Sequence, residues 1–189
     1  MQILSLNVAR IAPLVVNGKQ VLSAIRKQPV DGPLDVGPLG LTGDEQADPR
    51  YHGGQAKAVY AYPAEHYAFW QTVRAQAQVA DWQAPLPFGS MGENLSIEGL
   101  LENDAWIGDV LVFPDCELAI SEPRYPCSKF NAVMGFNKAT KMMVQSGWCG
   151  FYLAVRQPGQ LAAGQRFELR PGPREVSIAE VFRSKKPKG

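Results

Sequence analysis

The chain has 189 residues, a formal charge of +1, 46% apolar and 20% charged residues. That describes one ordinary globular domain, long enough to bury a core without disulfide staples. Its 18 glycines and 15 prolines exceed average usage but stay below low-complexity levels, which argues for a turn-rich fold and against a helical bundle. Four bases crowd the final RSKKPKG; without that tail, 15 Lys and Arg face 18 Asp and Glu, and no electrostatic case remains for nucleic acid or a membrane as partner.

In chain order, Gln2 to Ala9 alternates, with Leu4, Leu6 and Val8 on one side, and reads as a strand. Leu14–Val16 and Val21–Ile25 flank Asn17-Gly18, a dipeptide that tolerates positive φ at both central positions of a hairpin turn. Asp31-Gly32-Pro33 marks the next turn. The polar, glycine-rich stretch 38–55 reads as a long loop, and such loops are usually functional or disordered. Ala56 to Tyr62 reads as a strand. Pro63 then opens an amphipathic helix carrying His66, Phe69, Trp70 and Val73 at helical spacing. After the breaker at 85–91, strands are expected at 94–97, 110–113 and 118–121, a helix at 137–145 closed by Gly147, and strands at 151–155 and 166–169. Ser177 and Glu180 form a capping-box pattern for a last helix. Seven or eight short strands with few helices predict a mostly-β barrel or sandwich. No nucleotide-binding glycine motif is present.

The start of the chain lacks a basic segment followed by an apolar one, so no signal peptide is read. No apolar run approaches the ~20 residues of a membrane helix. Three cysteines without a framework spacing fit a reducing compartment, and the cytoplasm is the expected location.

Three polar clusters interrupt the β pattern. In the first, Gly43-Asp44-Glu45-Gln46 is followed by Tyr51-His52-Gly53-Gly54. Paired glycines allow close backbone approach to a ligand and an anion-binding nest. His52 is either a donor to a phosphate or heterocycle, or a solvated turn residue. In the second, Glu93-Asn94 offers a carboxylate and a two-faced amide, or simply a turn contact. The third, 121–131, reads as a proline-constrained loop in which Cys127 lies between Arg124 and Lys129. Nearby cations favour thiolate, the form that attacks electrophiles and binds soft metals, and they can hold a phosphate. Cys116, Cys149 and His66 are assigned to the core.

With the clusters placed, four segments in order resemble the MOSC domain, and within it the stand-alone bacterial YiiM-like group: GLTGDEQADPRYHGG, AVYAYPAEHYAFW, FGSMGENLS and ISEPRYPCSKFN. The domain also occurs at the C-terminus of molybdenum cofactor sulfurases. The resemblance spans residues 1 to about 170, leaving 171–189 as a short helix and basic tail, the remnant of a three-helix extension carried by the YiiM-like proteins. It implies a MOSC-type β-barrel-like fold with a few short helices. It also implies a pterin-based molybdenum cofactor with Cys127 as the protein's sulfur ligand to the metal. By position, His52, Gly53, Gly54, Asn94, Arg124, Lys129 and Asn131 would bind the cofactor, with Glu93 as a proton shuttle.

The expected activity is two-electron reduction of a small N-hydroxylated compound. No flavin, haem or iron–sulfur signature is present, so electrons would come from a flavin or iron–sulfur reductase. The alternatives are a sulfur carrier or transferase using a Cys127 persulfide, and cofactor binding without turnover. A homodimer is left open. If the assignment holds, Cys127, His52 and Asn94 line one cleft.

Overall fold

The structure, a computed structural model, describes residues 1–48 and 53–184. Its largest element is an eight-stranded sheet. In chain order its strands are β1 (Gln2–Val8), β4 (Gln28–Val30), β7 (Val59–Pro63), β8 (Leu95–Glu98), β9 (Val110–Val112), β10 (Glu117–Pro123), β11 (Phe151–Gln157) and β13 (Glu168–Arg170). In space they run β13-β9-β10-β11-β7-β8-β1-β4. A three-stranded sheet adds β5 (Leu34–Gly37), β6 (Gly40–Leu41) and β12 (Gly159–Leu161), and β2 (Ala12–Val16) with β3 (Lys19–Ser23) makes a separate hairpin. The helices are α1 (Tyr67–Gln76), α2 (Ser128–Met134), α3 (Ala139–Ser146) and α4 (Ile178–Ser184). Among the described residues, no helix is long and apolar enough to cross a membrane.

The mostly-β expectation holds, with one refinement. The large sheet is open: its ladder does not close. A single bridge between Gln2 and Arg166, with Ile3 N–H donating to the Gln165 carbonyl (2.9 Å), brings the approach to β13 back against β1. This gives the curvature of a barrel without its continuous hydrogen bonding. All pairs are antiparallel except β7 with β8, which are joined through α1 because parallel neighbours need a crossover.

The hairpin forms as its turn residues dictate. Asn17 and Gly18 have φ of 50° and 75°, and Val16 pairs with Lys19 across a two-residue loop. Ser177 and Glu180 build the expected capping box at α4: the Ser177 N–H donates to the Glu180 carboxylate (2.8 Å), and the Glu180 N–H donates to Ser177 Oγ (3.3 Å). The third cluster is not one long loop. Strand β10 runs on to Pro123 and α2 begins at Ser128, so only Arg124–Cys127 connects them. Two prolines in the segment hide both ends from a propensity reading. Likewise β4 contains Pro29, which is tolerated because β4 is an edge strand.

The core is aromatic on one side of the sheet. Trp70 is fully buried, donates through its indole N–H to Tyr62 Oη (2.6 Å) and stands edge-on to Phe130. This contact ties α1 to β7 and α2, and so places the start of α2 over the end of the sheet.

Candidate functional site

One cleft opens where the ends of β7, β8, β10 and β11 meet the β3–β4 connection and the segment 44–48. Its wall includes Lys27, Asp44, Asn94, Arg124, Cys127 and Lys129, with Tyr60 and Tyr152. Two of the three residues expected to share a cleft, Cys127 and Asn94, therefore do so; His52 lies outside the described residues. Cys127 is half-buried and precedes α2, its carbonyl accepting from the Phe130 N–H (2.9 Å) and the Thr140 hydroxyl (3.3 Å). Cys116 and Cys149 are buried. Burial pushes the Cys116 thiol up to about 12 and the Cys149 thiol well above its usual range, which leaves both inert.

Arg124 gives the cleft its electrostatic character. It is 4% exposed and directly follows β10. Its guanidinium lies 5.5 Å from the Tyr60 ring centroid and 5.1 Å from that of Phe130. One N–H reaches Met143 Sδ at 3.4 Å. No carboxylate among the described residues forms a salt bridge with it. Burial raises the pKa of Tyr60 and Tyr152, so both present neutral phenols to the guanidinium at neutral pH. Electrostatic interactions with Tyr60, Tyr152 and Cys127 are among the causes that raise the Arg124 pKa. Lys57 and Lys129 add positive charge at the rim: Lys57 Nζ is 3.8 Å from Glu122, and Lys129 Nζ donates to the Leu22 carbonyl (3.3 Å).

Asn94 is a wall residue with little amide capacity to spare. Its Oδ1 accepts from the Tyr60 N–H (3.1 Å), while Nδ2 donates to the Asn7 carbonyl (3.2 Å) and Asp44 Oδ2 (2.8 Å). Gly54 donates its N–H to Gln46 Oε1 (3.1 Å) and has φ 82°, bracing the wall behind Gln46, with Gly53 just before it. Asn131 sits away from the cleft lining; its Oδ1 accepts from the Thr140 N–H (2.7 Å) and joins α2 to α3.

Glu93 faces inward rather than into the cleft. Its carboxylate is fully buried and accepts from the Tyr67 hydroxyl, the Gly89 N–H (2.7 Å), the Met91 N–H (3.0 Å) and Ser96 Oγ (2.6 Å). It thereby ties down the 89–92 turn on which the cleft wall rests. A Cβ at Gly89 would stand 2.5 Å from the Lys27 carbonyl, and one at Gly92 would stand 2.8 Å from Ile25.

Replacing Glu93 by alanine is expected to orphan several buried donors and cost about 3–5 kcal/mol, read by chemical denaturation. Burial raises the Glu93 pKa above 4.5. Between 4.5 and its folded value the native state binds more protons than the unfolded one, so this group's contribution makes stability fall as pH rises through that window. Glu93→Gln should abolish that slope; an unchanged slope would assign it to another group.

Sequence reading missed Lys27 and did not select Asp44 from its cluster. Lys27 Nζ lies 2.5 Å from Asp44 Oδ1, and both side chains are nearly buried, at 8% and 6% exposure. Asp44 Oδ1 also accepts the Ala9 N–H (2.8 Å). Burial pulls the Lys27 pKa down, against the opposing pull of Asp44 and Glu93. A lone lysine ahead of an edge strand carries no local signal of burial.

A mostly-β domain with one half-buried cysteine in a cleft lined by four basic and three acidic side chains defines a narrow class. A family model described as the MOSC domain matches residues 48–168, and the chain belongs to that family. It is similar to the uncharacterized protein YflK of Bacillus subtilis, at 35% identity over 88% of this chain and 72% of that protein. It is also similar to protein YiiM of Escherichia coli, at 36% identity over 84% of this chain and 69% of that protein. A protein of Gibberella moniliformis named "Reductase" is 32% identical over 89% of this chain, which spans 30% of that longer protein. Among solved structures, YiiM from Geobacillus stearothermophilus superposes with a TM-score of 0.74 at 32% identity, covering 96% of this chain and 81% of that one.

Proposed function

We propose that the cleft binds a pterin-based molybdenum cofactor and that the protein is a two-electron reductase of N-hydroxylated compounds. The observation that carries this reading is that Cys127 shares one cleft with Arg124, a buried cation that no carboxylate among the described residues neutralises. The donor set fits such a group. Among the described residues no three His, Cys, Asp or Glu side chains cluster as a metal site, so those residues by themselves would not hold a bare ion. A metal arriving with its own sulfur ligands needs only one further thiolate, and Cys127 offers a soft one. Arg124, Lys57 and Lys129 would hold the cofactor's phosphate. Bound there, the cofactor would supply the two electrons of reduction. The protein's part is placement, charge compensation and access. A relative that bears the name reductase supports the direction of the chemistry. The electrons would come from a separate flavin or iron–sulfur protein.

The test is elemental analysis of protein purified from cells that make molybdopterin, followed by hydroxylamine reduction with an artificial electron donor. Bound molybdenum with turnover is the expected result. Cyanide-labile sulfur on Cys127 without molybdenum would overturn it in favour of a sulfur carrier. Molybdenum without turnover would reduce it to cofactor binding alone.

A further inference from the structure

We infer that Lys27 is the proton donor of this cleft, protonating the substrate as its N–O bond is broken; the inference rests on the reductase reading above. The overall change is R–NH–OH + 2 e⁻ + 2 H⁺ → R–NH₂ + H₂O. In that change the N–O bond breaks, the oxygen leaves as water and the nitrogen ends as an amine, with the electron pair that the bound, reduced cofactor would supply. Two protons must be supplied, and a general acid within the cleft supplies one of them.

The geometry narrows the choice of acid. Glu93 is sealed beneath the 89–92 turn with four donors already on its carboxylate. Arg124 does not release a proton in proteins. The Tyr60 hydroxyl donates to the Cys149 carbonyl (2.8 Å). Lys57 and Lys129 lie nearer solvent. Lys27 is different: it lines the same cleft as Cys127, its side chain is almost wholly withdrawn from water, and among the described residues one of its three N–H bonds is engaged, with Asp44. Asp44 is held by the Ala9 N–H and the Asn94 amide, so the ammonium is oriented by a fixed anion. Desolvation lowers its affinity for the proton while Asp44 and Glu93 oppose this, the balance that poises a buried lysine for transfer. After the proton leaves, the neutral amine still donates to Asp44, and solvent replaces the proton.

The experiment compares Lys27→Ala and Lys27→Arg with wild type, all loaded with cofactor. For Lys27→Ala the expected result is wild-type molybdenum content, an unmoved substrate KM, about 10²-fold lower kcat, and saturable recovery with added methylamine or ethylamine. Lys27→Arg keeps the charge but holds its proton too tightly, so its kcat is expected to stay low and unrescued. In the full chain, NMR of the lysine Nζ groups is expected to show Lys27 titrating below the surface lysines, and Asp44→Asn should lower it further. The inference is overturned if Lys27→Ala keeps its turnover or loads cofactor but is not rescued by amines. It is equally overturned if Lys27→Arg turns over like wild type, or if Lys27 titrates with the surface lysines. Failure of the wild type to reduce any hydroxylamine overturns the reductase reading itself, whereas turnover by wild type and Lys27→Ala alike overturns only the role of Lys27.

Discussion

Arg124→Met is expected to yield a protein that is harder to unfold than the wild type and unable to retain its cofactor. The guanidinium is taken out of water between Tyr60 and Phe130, with one N–H on the Met143 thioether, and no carboxylate among the described residues repays its desolvation. Replacing buried charge by an apolar side chain of similar volume is commonly neutral or stabilising. Methionine spans the same gap and adapts to the aromatic faces and to Met143. The expected gain in the cofactor-free protein is about 1–3 kcal/mol, seen as a rise of a few degrees in Tm. The same change removes the fixed cation, so molybdenum and pterin content should fall at least ~10-fold. This trade between stability and function is characteristic of binding sites. A drop in Tm of the cofactor-free protein would mean instead that Arg124 holds the fold together.

Cys127→Ser should leave the fold intact, with no gain in stability, and remove the chemistry. The side chain is only half-buried, and its backbone carbonyl accepts from the Phe130 N–H and the Thr140 hydroxyl, two bonds that serine retains. What the substitution removes is the sulfur proposed above as the soft ligand, which a hard hydroxyl would not replace. Second-shell partners of metal ligands alone are worth ~10–100-fold in affinity or activity, so loss of a ligand should cost at least ~10²-fold in hydroxylamine reduction. The comparison proteins are Cys116→Ser and Cys149→Ser. Each places a hydroxyl in the core and should lower Tm while leaving turnover per bound molybdenum unchanged. Equal turnover by Cys127→Ser and wild type would remove Cys127 from the site.

The candidate site was legible unevenly. Cys127 stood out because two bases and two prolines flank it, all visible within one short segment. Arg124 was visible as one of those bases, but its burial was not. Glu93 and Asn94 are adjacent in sequence yet divide their roles: Asn94 lines the cleft wall, while Glu93 turns inward to hold the turn beneath it. Side chains alternate across a strand entrance, and which face meets the cleft depends on what β1 and β7 present on either side. Asn131 lies beside Cys127 in the chain but is drawn off by α3. Lys27 carried no signal at all, since a lysine reads as surface until the chain around it closes.

By itself the sequence determined the β-rich class, the Asn17-Gly18 hairpin, the capping box at α4, the separation of Cys127 from two core cysteines, and the resemblance to the family to which the chain belongs. Those features are local: a period of two, a turn that needs positive φ, a side chain within reach of the next backbone N–H. Only the tertiary structure decided that the sheet stays open, that Lys27 and Asp44 meet Asn94 inside the cleft, and that Arg124 is buried without a salt-bridging carboxylate among the described residues. Desolvation and charge pairing depend on what distant segments bring together. Long-range strand pairing sets them, and no window along the chain contains it.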